Sequence, residues 1–99
     1  MDGLMEDIDY GMRLMRQRRD IALVDVTKEL ERATDLHGPM ASPHEGYAVL
    51  LEEVDELKTH VFMKQKNREL AEMRKEAIQV AAMALRFVVD VCTEDRGRR

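Results

Sequence analysis

The stretch "GPMASPHE", residues 38–45, holds both prolines of the chain, and it limits what the rest can fold into. Proline has no backbone N–H and its ring clashes with the preceding helical turn, so helices stop before it or start at it. Gly38-Pro39 closes the segment in front: glycine suits the left-handed residue after a helix, and proline cannot continue one. Ser42, Pro43 and Glu45 open the segment behind. Ser42 reads as a helix N-cap, Pro43 as the first helical residue, and Glu45 as the far half of a capping box. Elsewhere no proline interrupts the chain, and apolar residues recur at helical spacing rather than in strand-like alternation.

Residues 20–37 carry Ile21, Val24, Leu30, Ala33 and Leu36 on one helical stripe. The capped helix is expected from Pro43 to about Lys64, with Tyr47, Leu50, Val54, Leu57 and Val61 toward the core. The polar run "KQKNRE", residues 64–69, reads as a turn. The last helix is expected from about Arg68 to Cys92, with Met73, Glu76, Val80, Met83 and Phe87 on one face and "AAMALRF" as a close-packing seam. In front, residues 1–19 form an arm or short helix: Leu4, Ile8, Met12 and Met15 recur at helical spacing, while Gly11 weakens it. Residues 93–99 are a charged tail. The expected architecture is an all-α bundle of three main helices plus a short N-terminal one, in one domain over 20–92. Ninety-nine residues lie near the lower range for a monomeric core, so completion by oligomerisation is expected.

The net charge of −4 and the scarcity of aromatics argue against nucleic acid. Arg13, Arg16, Arg18 and Arg19 then read as a solvated basic arm. A single cysteine, Cys92, allows no internal disulfide and suits a reducing, cytoplasmic setting. No apolar run reaches the roughly 18 residues of a membrane span. The acidic start "MDGLMEDID" does not read as a secretory leader. His37, His44 and His60 are not at ligand spacing, although His60 stands one turn from Glu56 on the same flank.

Helical phase divides the acids of "LEEVDEL", residues 51–57. Glu53 and Glu56, three residues apart, converge on one flank of their helix, while Glu52 and Asp55 lean toward water. Glu76 falls within the apolar stripe of the last helix, with Gln79 beside it. A carboxylate there is costly unless it is paired or binds metal. Facing pairs of oxygen ligands on two helices are a recurrent way to hold a divalent cation in a bundle, and oxygen-only ligands suit Mg²⁺ or Mn²⁺. Arg86, further along the same flank, and Lys75 near the turn are cationic candidates for a phosphate ligand. Val49, Met83 and Phe87 offer an apolar site for a base.

"EEVDE" at 52–56, nineteen residues, then "EAIQ" at 76–79 resembles the EExxE…ExxD signature of the MazG-like all-α nucleoside triphosphate pyrophosphohydrolases. That group includes the dimeric dUTPases and dCTP pyrophosphatases, and the resemblance covers about residues 20–92. It implies cleavage of a nucleoside triphosphate between its α- and β-phosphates by a Mg²⁺- or Mn²⁺-loaded homo-oligomer, a dimer or tetramer. It places Glu53, Glu56 and Glu76 at the metal, and Glu52 as the leading acid that assists the metal or the attacking water. Gln79 stands where the family has aspartate. An amide still offers a neutral carbonyl oxygen but removes one negative charge, so a degenerate oligomer that binds nucleotide or a protein without turnover is the alternative. Asp90 is no substitute, since eleven residues place it roughly 16 Å further along the helix.

Overall fold

The computed structural model describes residues 2–93. They form three helices, α1 (Asp2–His37), α2 (Pro43–Val61) and α3 (Leu70–Val91), with no strand among the described residues. A short 3-10 turn, Gln65–Asn67, joins α2 to α3.

The proline-bounded turn forms as its residues dictate. Gly38 takes a φ of 69° and donates its N–H to the Thr34 carbonyl at 2.8 Å. The Ser42 hydroxyl accepts the Glu45 N–H at 3.1 Å. The Glu45 carboxylate reaches back to accept the Ala41 N–H at 2.8 Å, one residue before the cap, so the capping box is closed in a shifted form. At the other end α2 stops at Val61, three residues short of the expected Lys64. Its free terminal carbonyls need donors. Arg68 supplies them, donating to the Val61 and Met63 carbonyls at 2.8 and 3.3 Å. With Arg68 extended and so engaged, α3 begins at Leu70 rather than at Arg68.

The front of the chain differs from expectation. Residues 2–19 are not a separate arm or helix but the first half of α1, which runs unbroken through the arginines. No proline or cap interrupts this stretch, and the change at residue 19 is one of charge alone. The Asp9–Arg13 pair at 3.3 Å, one turn apart, spans Gly11. The tail expected at 93–99 lies, beyond Thr93, outside the described residues.

α3 is central: α1 and α2 each pack against it. Ala33, Met40, Ala82 and Met83 are buried, with Val26, Leu30, Val49, Leu50, Phe87 and Val91 around them. The inward face of α3 is the expected one. That of α2 is rotated. Gly46, Val49, Leu50, Glu53, Leu57 and His60 turn inward, while Tyr47, Val54 and Val61 are exposed. Gly46 sets this phase, because its missing side chain lets α2 lie close against Phe87 of α3. A Cβ on Gly46 would lie 2.6 Å from the Phe87 ring and 3.1 Å from Met40 Sδ. Seven residues on, two full turns, the same face presents Glu53 to α3. On α1, Leu30 and Ala33 face inward as expected, but Ile21, Val24 and Leu36 are exposed. Val26 takes their place at the core.

The molecule is long and thin, 60 × 37 × 19 Å, with a radius of gyration of 17.7 Å, against about 13 Å for a compact chain of this length. Much apolar surface stays in water, including Leu4, Met5, Ile8, Met12 and Met15 on α1.

The close approach at Gly46 is testable. Gly46→Ala is expected to cost about 1–3 kcal/mol by overpacking against Phe87 and Met40. Gly11→Ala, with nothing near its Cβ, is the control and is expected to stabilise α1 by up to about 1 kcal/mol. Thermal denaturation of both reads the two signs; equal gains would show that α2 and α3 are not so close.

Candidate metal centre

The rotation of α2 brings Glu53 opposite the stripe of α3 that holds Glu76. Oxygens of Glu53, Glu56 and Glu76 lie within 4.8 Å of one another. Glu53 is half-buried and Glu76 is 8% exposed, whereas Glu56 reaches the cluster from the solvent side. The three carboxylates expected to converge are therefore together. A second group overlaps the first: His60, Glu72 and Glu76 also bring ligand atoms within 4.8 Å of each other. His60 Nε2 is 3.9 Å from Glu76 Oε1. His60 thus belongs to the site despite its lack of ligand spacing to the other histidines. Glu72 was legible as the residue one turn ahead of Glu76 on the same face.

This crowding is visible in the protonation of the acids. Burial holds the Glu53 carboxyl above its ordinary value, and the charges of Glu56, Glu76, Glu29 and Glu52 push it further the same way. Glu76 is also raised, first by burial, then by the charge of Glu56 and a hydrogen bond with it. His60 and Lys75 offset only part of this. Two acids held above their ordinary range, with the charge of Glu56 beside them, form a site that gains from added positive charge.

Gln79 closes the cluster. Its amide nitrogen, oriented by its surroundings, donates to Glu53 Oε2 at 3.0 Å and to Glu76 Oε2 at 2.9 Å. The same amide turned over would present its carbonyl oxygen to the same spot. The donor set is then three carboxylates and one neutral oxygen, hard ligands that fit Mg²⁺ or Mn²⁺ better than Zn²⁺.

Beside the cluster is a cavity of about 280 Å³, lined by Met40, Val49, Glu52, Glu53, Gln79 and Met83 among others. Val49 and Met83 stand where an apolar ligand group was expected. Phe87 does not line it and instead packs against Gly46. Glu52 is exposed at its mouth. Arg86 also lines the cavity, but its guanidinium is 4% exposed and is held elsewhere. Nη2 donates to the Gly38 carbonyl at 2.6 Å, and Nε lies 3.9 Å from Asp90 Oδ2. Asp90 in turn accepts the Met40 N–H at 2.9 Å. Arg86 and Asp90 therefore fasten the α1–α2 turn to α3.

A groove of about 340 Å³ lies between α1 and α3, on the other side of Gln79. Lys75 lines this groove rather than the cavity. Sequence reasoning assigned α1 no part in the site, but Glu29 and Arg32 line both hollows. Arg32 grips the Glu29 carboxylate at 2.6–2.9 Å. Their signal was hidden by the stripe drawn through Ile21 and Val24, which phased α1 wrongly.

Comparison with protein families, with curated proteins and with solved structures gives no match.

Proposed function

We propose that the chain is a metal-dependent nucleoside triphosphate pyrophosphohydrolase of MazG-like fold, active as a dimer or tetramer. The convergence of Glu53, Glu56 and Glu76 beside a cavity lined in part by Val49 and Met83 carries the reading. Glu53, Glu56 and Glu76, with the Gln79 oxygen, would hold Mg²⁺ or Mn²⁺. Such an ion, when bound, neutralises phosphate charge and lowers the pKa of bound water.

The chain's own residues do the rest. Val49 and Met83 seat the base. Glu52, solvent-exposed at the mouth, takes a proton from the attacking water. The water oxygen bonds to the α-phosphorus as the bond from that phosphorus to the α–β bridging oxygen breaks, and the bond pair leaves on pyrophosphate. Assembly fits the apolar surface that one chain leaves in water on α1 and α2. No described helix is long and apolar enough to cross a membrane.

Gln79 favours a second reading, in which the same groove binds nucleotide without turnover. An amide that donates to two carboxylates takes over part of a cation's role and leaves the site one charge short. A panel of canonical and modified nucleotides with Mg²⁺ or Mn²⁺, assayed for pyrophosphate release, separates the two. The hydrolase reading expects release from at least one nucleotide, reduced at least about 100-fold by Glu53→Ala. No release across the panel leaves the binding reading.

A further inference from the structure

We propose that the α1–α3 groove holds the β- and γ-phosphates of the nucleotide, so that Gln79 marks the boundary between the nucleoside side and the pyrophosphate side of the site. The inference rests on the nucleotide reading above, but not on turnover.

The groove is lined by four cations, Lys28 and Arg32 from α1 and Arg74 and Lys75 from α3, with Asp25 and Glu29 as its acids. Arg74 is paired with Asp25 at 2.8 Å, and Arg32 with Glu29. Lys28 and Lys75 enter no such pair among the described residues. Two ammonium groups, one on each helix, therefore line the hollow without a salt-bridge partner among the described residues, although the charge of Lys75 also acts on Glu76. Compact, multiply charged anions meet that demand, and a lysine is a point-charge binder of phosphate. Arg74 and Arg32 already have their partners, and they shield the incoming anion from Asp25 and Glu29.

The location gives the groove its ligand. Glu29, Arg32 and Gln79 line both the groove and the cavity, so the two hollows meet at these three residues. Gln79 is within 3.0 Å of the carboxylates on the cavity side. A chain of phosphates that begins with its base against Val49 and Met83 would cross the carboxylate cluster and emerge between Lys28 and Lys75. The leaving pyrophosphate would then remain in the basic groove.

The probe is inorganic pyrophosphate, with binding followed by calorimetry on the full chain, with and without Mg²⁺. Lys28→Ala and Lys75→Ala are each expected to weaken pyrophosphate binding about tenfold, the size of one charge-assisted contact. Lys28→Arg and Lys75→Arg are expected to retain it. Lys58→Ala, on α2 and away from the groove, removes the same charge as a control and should leave binding unchanged. If the groove lysines matter and no nucleotide is hydrolysed, the phosphate site stands and the hydrolase reading fails. If nucleotides are hydrolysed but Lys28→Ala and Lys75→Ala leave both KM and pyrophosphate affinity unchanged, the groove is not the phosphate site. Equal losses in Lys58→Ala would also overturn the assignment, since they would reflect net charge alone.

Discussion

Glu76→Gln is expected to raise the melting temperature of the metal-free protein by about 4–8 °C, the shift that ~1 kcal/mol makes in a chain of this size. The same variant is expected to lose the stabilisation that Mg²⁺ or Mn²⁺ gives the native chain. Glu76 is the most buried of the three acids and, among the described residues, has only His60, at 3.9 Å, as an ion-pair partner. Removing its charge relieves Glu53 and Glu56 and leaves an amide that still hydrogen-bonds. A cation that binds the folded state at 100 times its Kd adds about 2.7 kcal/mol. The two effects have opposite signs, so one substitution inverts the order of stability when metal is added. A variant less stable than the native chain under both conditions would mean that Glu76 is a structural acid and not a ligand.

The pH dependence follows from the same crowding. Glu53 and Glu76 hold their protons more tightly in the folded chain than the ordinary carboxylate value of 4.5. Above that value the folded state keeps protons that the unfolded state has lost. What these groups contribute to stability is therefore fully present below 4.5 and is lost as pH rises through their raised values. The gap between Glu76→Gln and the native chain should be small in acid and widen toward neutrality. Mg²⁺ should close it from the other side.

The sequence carried the helices and the identity of the three carboxylates, and the physical reasons are particular. "GPMASPHE" contains a glycine that must take a positive φ, a cap and a proline, so its meaning is local. Glu53, Glu56 and Glu76 follow from helical arithmetic once their helices are known. The face of α2 was harder. Counting apolar residues favoured Tyr47, Val54 and Val61, but interhelical approach is decided by the smallest residue, and Gly46 turned that face by contact. Glu53 turned toward α3 as a result and is half-buried there. The part played by α1 was not legible. Glu29 and Arg32 look like an ordinary exposed pair three residues apart, and only the packing of α1 on α3 sets them beside Gln79. Arg86 shows the reverse error. Its position on the active flank was right, but a buried guanidinium needs carbonyl acceptors, and Gly38 in the α1–α2 turn supplies one.

Gln79→Asp gives the last and most divided expectation. Without metal the substitution removes two hydrogen bonds, to Glu53 and Glu76, and adds a fourth acid to a cluster in which Glu53 and Glu76 already resist ionising. Hydrogen bonds to charged groups contribute about 1.5–3 kcal/mol each, so a loss of at least about 2 kcal/mol is expected, with a visibly lower melting temperature. With Mg²⁺ the sign changes. A fourth carboxylate adds charge for the cation to neutralise, and nothing need turn over before it binds. The affinity for Mg²⁺ should rise by about tenfold or more, which is ~1.4 kcal/mol. If the chain is a hydrolase with a tuned ligand at 79, pyrophosphate release should rise with the affinity. If 79 was the step at which turnover was lost, release should appear where the native chain shows none. Should Gln79→Asp leave both the metal-free stability and the Mg²⁺ affinity unchanged, residue 79 does not face the cluster and the donor set is three carboxylates alone. An aspartate side chain is one methylene shorter than glutamine, so the charge arrives slightly withdrawn from Glu53. Gln79→Glu, with glutamine's own reach, separates the cost of charge from the cost of length.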